Sequence, residues 1–225
     1  MLIGTVIPTL NEAGELPRLL GHLRRVSDME IVVADGGSAD GTAETAARLG
    51  ATVIQCPRGR GTQLNAGARA VKGDILFFIH ADVTPAPGFE KVILKLLDVP
   101  GVAAGAFRLA IAAKGFAYRA IERTANFRSR LLSLPYGDQG FFLKRSTFDR
   151  MGGFADIPLM EDVELVRRCR RAGKVVTAPE AMTVSARRWQ KEGWLATSIR
   201  NSALLTLFLA GVPARRLAFF YPSHG

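Results

Sequence analysis

The sequence predicts an α/β fold built on an open sheet with helices on both faces. Three observations carry this. Short apolar runs alternate with helical stretches through the first 85 residues. The runs are continuously apolar, as strands buried on both faces are, and do not alternate with polar residues. Each ends on a cluster of polar residues and glycine or proline, which marks the carboxyl edge where such sheets bind ligands.

The elements follow in order. Residues 2–7 (LIGTVI) read as a first strand closed by Pro8. Asn11 is a candidate cap for a helix over 12–26, with Glu12 and Glu15 at its positive end. "EIVVADGGS" (30–38) repeats the scheme, with a strand, then Asp35-Gly36-Gly37, then a helix from about Asp40. "ATVIQCP" (51–57) is a third strand, "GTQLNAGARAV" (61–71) a third helix, and "DILFFIHAD" (74–82) a fourth strand. The second half is less regular. Strands are expected at 101–111, 139–145 and 174–184, and helices at 115–132, 146–151 and 160–173, the last stopped by Gly173. Residues 191–220 read as one or two helices. The expected organisation is one domain over 1–225, with a regular first half (1–85), a less regular second half (86–190) and a helical tail (191–225).

Composition narrows the class. The chain is 48% hydrophobic and 22% charged, an ordinary globular balance. Its two cysteines, Cys56 and Cys169, form no CxxC pair, so neither a zinc site nor a disulfide framework is supported. The N-terminus has no basic n-region or small-residue cleavage site and reads as a strand, not a leader. A cytoplasmic setting, at the inner membrane face if the tail makes contact, is the matching expectation. The net charge of +10 favours anionic partners, or else reflects arginines with no partner in view. The aromatics sit mostly inside apolar segments and not beside basic ones, which argues against a nucleic-acid reader. The apolar piece 203–212 is too short to span a bilayer. With Arg200, Arg215 and Arg216 around it, it either lies on a membrane surface or packs on the domain or in a homodimer.

The polar strand ends bring Asp35, Arg58, Arg60 and Asp82 to one edge. Carboxylates there suit ribose or base donors and hard cations such as Mg²⁺ or Mn²⁺. Two arginines and the helix start near Gly61 suit a diphosphate. No GK[ST] follows the glycines and "DGGSADG" lacks GxGxxG spacing, so neither a Walker loop nor a dinucleotide fingerprint is present. Glu161-Asp162 open a helix; dipole stabilisation accounts for acids there, but one of them can also face a pocket and accept a proton.

The ordered segments "VIPTLNEAGELPRLL" (6–20), "EIVVADGGSADGT" (30–42), "RGRGTQLNAGA" (58–68), "GDILFFIHAD" (73–82) and "GDQGFFLKRSTFDRMGGFADIPLMEDVELVRRCRRAG" (137–173) resemble a family 2 glycosyltransferase of the GT-A fold. "HAD" and "SARRW" resemble a bacterial subgroup of short members. The resemblance implies inverting transfer of a hexose from a nucleotide-diphosphate sugar, UDP-linked by family frequency, to a hydroxyl acceptor that is lipid-linked in some relatives. It implies that Pro8, Thr9, Asn11, Glu12, Asp35, Gly36, Arg60, Gly61, Ala81 and Asp82 line the nucleotide sugar. Gly137, Asp138 and Gln139 match the acceptor side, and Asp162 of the Glu161-Asp162 pair matches the catalytic base. Asp82 matches the metal-binding end of the family's D-x-D, for Mn²⁺ or Mg²⁺.

Two departures stand out. His80 replaces the first aspartate of D-x-D and either ligates the cation, touches the ribose or packs locally. "SARRW" (185–189) stands where relatives carry Q-x-x-R-W; Arg187 or Arg188 is left to hold the diphosphate, and Trp189 stacks on the acceptor or belongs to the core. The rival readings are a nucleotidyltransferase, disfavoured by the lack of a glycine-rich basic signature near 8–20, and a homologue that binds nucleotide sugar, RNA or membrane with little or no catalysis.

Overall fold

A computed structural model describes residues 1–221. Eight strands form one mixed sheet in the order β3-β2-β1-β4-β7-β6-β8-β5. The first four are β1 (Ile3–Thr9), β2 (Met29–Asp35), β3 (Thr52–Gln55) and β4 (Ile75–Phe78). They pair in parallel, β1 lying between β2 and β4. β4 is buried at every position, as its ILFF sequence requires. Beyond it the sheet turns antiparallel: β7 (Phe141–Lys144) runs against both β4 and β6 (Val102–Ile111). β8 (Lys174–Val184) runs parallel to β6, and the short β5 (Val83–Thr84) closes the edge against β8.

Helices cover both faces over two apolar clusters. On one face lie α1 (Leu16–Leu23) and α4 (Phe89–Asp98). α1 buries Leu16, Leu19, Leu20 and Leu23, a row at helical spacing. Each buried leucine contributes about 2 kcal/mol. On the other lie α3 (Arg60–Ala70) and α7 (Glu161–Ala172). α3 presses against β1 so closely that a Cβ on Gly67 would fall 2.2 Å from Val6 Cγ1. That approach sets the angle at which α3 points Arg60 toward the carboxyl edge of the sheet.

α2 (Thr42–Arg48) packs beside α1. α5 (Phe116–Leu132) crosses near β6, and α6 (Arg145–Met151) packs on α7. The tail comprises α8 (Arg187–Glu192), α9 (Trp194–Leu209), α10 (Ala214–Leu217) and a 3₁₀ turn at Ala218–Phe220. No described helix is long and apolar enough to cross a membrane. Residues 222–225 of the expected tail lie outside the described residues.

Three expectations need correction. The helix expected from residue 12 begins at Leu16, and Asn11 does not cap it. Asn11 adopts a left-handed φ of 55°, and its Oδ1 accepts the Ala39 N–H (2.9 Å), so the residue serves the neighbouring loop instead. The fourth strand stops at Phe78, not Asp82, because the Val83 N–H turns back to the His80 carbonyl (3.2 Å). α4 has no counterpart among the expected elements, although Phe89, Ile93 and Leu97 give it a four-residue apolar spacing.

Much of the positive charge is structural. Arg145 donates to the carbonyls of Gly73, Ala68 and Val71 (2.7–2.9 Å), fixing the turn after α3. Arg168 bonds the Gly153 carbonyl (2.7 Å) and pairs with Glu164, and Arg119 holds the Ile111 carbonyl (3.0 Å).

Candidate active site

A cleft open to solvent lies beyond the carboxyl ends of β4 and β8. Arg60, His80, Asp82, Gly137, Asp138 and Asp162 meet there, and Arg188 and Trp189 reach it from α8. Residues 78 positions apart in sequence, Arg60 and Asp138, thus line one space because α3 and the Gly137–Gln139 turn converge beyond β4. A small, mostly apolar recess beside it shares Arg60, His80, Gly137 and Asp162 and adds Glu161.

The loop after β1 and the loop after β2 form one knitted rim. The Thr9 hydroxyl donates to Asp35 Oδ1 (3.1 Å), and the Gly37 and Ser38 N–H groups donate to Asp35 Oδ2 (3.1 and 2.9 Å). Burial opposes ionisation of Asp35, but these hydrogen bonds outweigh it and hold the carboxyl below its ordinary range. Asp35 is fully buried, and neither it nor Pro8, Thr9, Asn11, Glu12, Gly36, Gly61 and Ala81 lines the cleft. Glu12 caps its own loop by N–H donation to Thr42 Oγ1 (2.8 Å), and its carboxylate pairs with Arg187 of α8. Arg187 is therefore engaged with the rim, while Arg188 turns into the cleft.

Asp162 is held by two backbone donors. Gly137 N–H donates to Oδ2 (2.7 Å), and the following Val163 N–H to Oδ1 (2.7 Å). The Gly137 contact ties the helix that carries the carboxylate to the acceptor-side turn. That turn is so close to His80 that a Cβ on residue 137 would lie 2.9 Å from His80 Nε2 and 3.5 Å from Asp162 Oδ2. Glycine is needed there by space. Glu161, the other acid of the pair, faces away and is 1% exposed; Arg60 Nη1 pairs with it at 3.4 Å. Burial pushes the Glu161 carboxyl up, and Arg60 pulls it back.

Burial, with the nearby Arg60 and Arg188 guanidiniums, holds His80 well below its ordinary range, so the imidazole is neutral. Burial raises Asp82, with Arg188 and Arg187 opposing. The Asp82 carboxylate is an oxygen donor of the kind Mn²⁺ and Mg²⁺ take, whereas the His80 imidazole is the poorer partner for Mg²⁺. Among the described residues no group of three or more His, Cys, Asp or Glu gathers as a metal site. Asp82 and His80 are the residues that would hold such an ion, and phosphate oxygens and water would have to complete its shell.

The residues expected on the acceptor side divide. Gln139 does not reach the cleft: its Oε1 accepts from the Ser129 hydroxyl (2.7 Å) and Tyr136 N–H (3.1 Å), and its Nε2 donates to the Phe107 carbonyl (2.8 Å). It sets the shape of the turn. Asp138 does line the cleft, and its buried Oδ1 bonds to no described residue. Burial pushes it up to about 6, with Arg128 and Arg188 pulling down and Asp162 and Asp82 adding to the rise. Trp189, 9% exposed, packs in the core and also lines the cleft. Tyr136, Asn201 and Tyr221 line it too, unexpected from the sequence. Arg128 stacks on the Tyr136 ring at 3.5 Å, and the Arg188 guanidinium donates to the Tyr221 hydroxyl (3.3 Å). Tyr136 adjoins the GDQ turn and was within reach of sequence reasoning. Tyr221 returns from the tail and carries no local signal.

Asp138 sets an expected pH dependence. A carboxyl raised to about 6 contributes stability below its ordinary value near 4 and loses it as pH rises through 6. Asp138→Asn should therefore match the native chain near pH 4 and exceed it well above pH 6 by about 3 kcal/mol. Thermal melts across that range check it; a constant offset would refute the assignment.

The chain belongs to glycosyl transferase family 2, whose description matches residues 5–156. The sheet order, edge cleft and helical cover are those of the GT-A fold. The chain is 27% identical over 212 residues to a pre-mycofactocin glycosyltransferase of Mycobacterium tuberculosis, covering 86% of this chain and 44% of that one. It is 38% identical over 97 residues to an uncharacterized glycosyltransferase of the same species, covering 43% of this chain and 44% of the other. It thus spans less than half the length of these curated relatives. Among solved structures, the mannosyltransferase PcManGT of Pyrobaculum calidifontis, in complex with GDP-Man and Mn²⁺, superposes with a TM-score of 0.71 at 20% identity, over 94% of this chain and 65% of that one. Glucosyl-3-phosphoglycerate synthase of M. tuberculosis, in complex with Mn²⁺, UDP and glucosyl-3-phosphoglycerate, superposes at 0.61 and 22% identity, over 82% and 70%.

Proposed function

We propose that this chain is an inverting hexosyltransferase that moves a sugar from a nucleoside-diphosphate donor, UDP-linked, to a hydroxyl acceptor. One observation carries the reading: Asp162, oriented by the acceptor-side turn, faces the same cleft as Asp82 and Arg188. The rim formed by the loops after β1 and β2 receives the nucleotide. Arg188 and Arg60 stabilise negative charge on the diphosphate. A divalent cation held by Asp82 and His80 supplies further charge neutralisation when bound. As the acceptor oxygen bonds to the anomeric carbon, Asp162 takes its proton. The bond from that carbon to the diphosphate oxygen breaks on the opposite face, and the nucleoside diphosphate leaves with the electron pair. The solved neighbours named above, with GDP-Man or UDP and Mn²⁺, support the donor class.

The test is a thermal-shift panel of UDP- and GDP-sugars with and without Mn²⁺. A donor that binds only the native state raises the midpoint, by about 2.7 kcal/mol of stability at a hundredfold excess over Kd. Asp82→Ala should abolish the Mn²⁺-dependent part of the shift and leave the melt without ligand cooperative. No shift with any donor would overturn the reading. Binding without product release would favour a donor-binding homologue.

A further inference from the structure

The tail presents apolar side chains to solvent where a helix on a globular surface would present polar ones. Along the outer row of α9, Leu195, Ile199, Ser202, Thr206 and Leu209 follow at helical spacing with no charged residue among them. Ile199 is 60% exposed. The 3₁₀ turn ends on Phe219 and Phe220, exposed by 88% and 71%. α5, which packs against α9, adds Phe127 and Leu131, spaced four apart and exposed. The same surface adjoins one end of the cleft, which is lined by Asn201 of α9, by Tyr221 just after the 3₁₀ turn, and by Tyr136, Gly137 and Asp138 just beyond the end of α5.

The charge around them has one sign. Residues 187–221 carry six Lys or Arg and a single acid, Glu192, which pairs with Arg200. Arg200 is thus turned inward and Arg187, though exposed, pairs with Glu12, which leaves Lys191, Arg215 and Arg216 exposed, with Arg123 and Arg130 on α5. Exposed aromatic side chains flanked by basic ones suit the boundary between headgroups and acyl chains of an anionic bilayer. A second copy of this chain would meet the same positive charge across the contact, which disfavours it.

We propose that the α5, α9 and 3₁₀-turn surface docks on an anionic membrane, so that the adjoining end of the cleft opens at the bilayer. That the cleft then takes a lipid-linked acceptor rests on the transferase reading; the docking does not.

The experiment is co-sedimentation with vesicles of phosphatidylglycerol and phosphatidylcholine, against phosphatidylcholine alone. Trp194, exposed at the start of α9, serves as an internal probe. The expected result is binding to the anionic vesicles only, weakened by salt, with a blue shift of Trp194 emission. Phe219→Ser/Phe220→Ser and, separately, Arg215→Glu/Arg216→Glu should each weaken it at least about tenfold. Absence of binding, equal binding to both vesicle types, or a dimer in sedimentation velocity that Phe127→Ser dissolves would overturn the proposal. Donor thermal shifts on the same samples read the transferase site separately. Their loss in the native chain would sink that reading and leave the docking result standing.

Discussion

Asp162→Asn is expected to lower turnover by about 10³-fold while leaving the donor-induced thermal shift nearly intact. In the proposed mechanism the carboxylate acts only when the acceptor hydroxyl loses its proton, so donor affinity should not register its loss. The native geometry adds a second expectation. Both Asp162 oxygens accept backbone N–H bonds, from Gly137 and Val163. Asparagine can satisfy only one of them, so the acceptor-side turn loosens. KM for the acceptor should rise with the fall in kcat, and KM for the donor should not. Radiolabelled sugar transfer with both substrates varied would measure this. A variant with near-native kcat would remove Asp162 from the role of base.

Arg60→Met is expected to be the most destabilising single change in the site. It leaves Glu161, 1% exposed at its side chain, as a buried carboxylate without its cation. Breaking a buried pair from one side costs about 3–5 kcal/mol. Arg60 is itself 37% exposed, so about 3 kcal/mol is the appropriate figure here. The pH dependence has a definite sign. Without Arg60, the folded-state pKa of Glu161 rises further above its unfolded value. The resulting penalty is absent at low pH and grows as pH rises above about 4.5. Denaturant melts at pH 4.5 and 7.5 should show a small deficit at the first and the full deficit at the second. Arg60→Met/Glu161→Gln should recover most of the loss at pH 7.5, since no buried charge remains. An equal deficit at both pH values would show that packing, not charge, explains it.

What the sequence revealed follows the range of the interactions involved. The parallel half was readable because buried strands such as Ile75–Phe78 announce themselves by continuous apolar runs. The ends that gather polar residues were readable for the same reason. Asn11 misled because capping chemistry is local, whereas its actual partner, Ala39, comes from the next loop. Gln139 sits in a motif beside functional residues, yet its amide is consumed by Ser129, Tyr136 and Phe107. Only the packing of α5 and β6 around the turn reveals that. Tyr221 entered the cleft through the fold of the tail, for which residues 218–221 hold no pattern.

The clasp between Glu12 and Arg187 joins residues 175 positions apart, and the Arg60–Glu161 pair joins residues 101 apart. Contacts of such separation form late, because the chain must close long loops before they return any energy. On the ribosome, β1 to β4 can assemble while the last third of the chain is still being made. The cleft cannot. One wall of it arrives with α8, so a chain that ends before Ser185 should leave the loops after β1 and β2 facing solvent with no enclosed cleft. Assembly is therefore expected in two stages, the parallel sheet first and the cleft once β8 and α8 have followed.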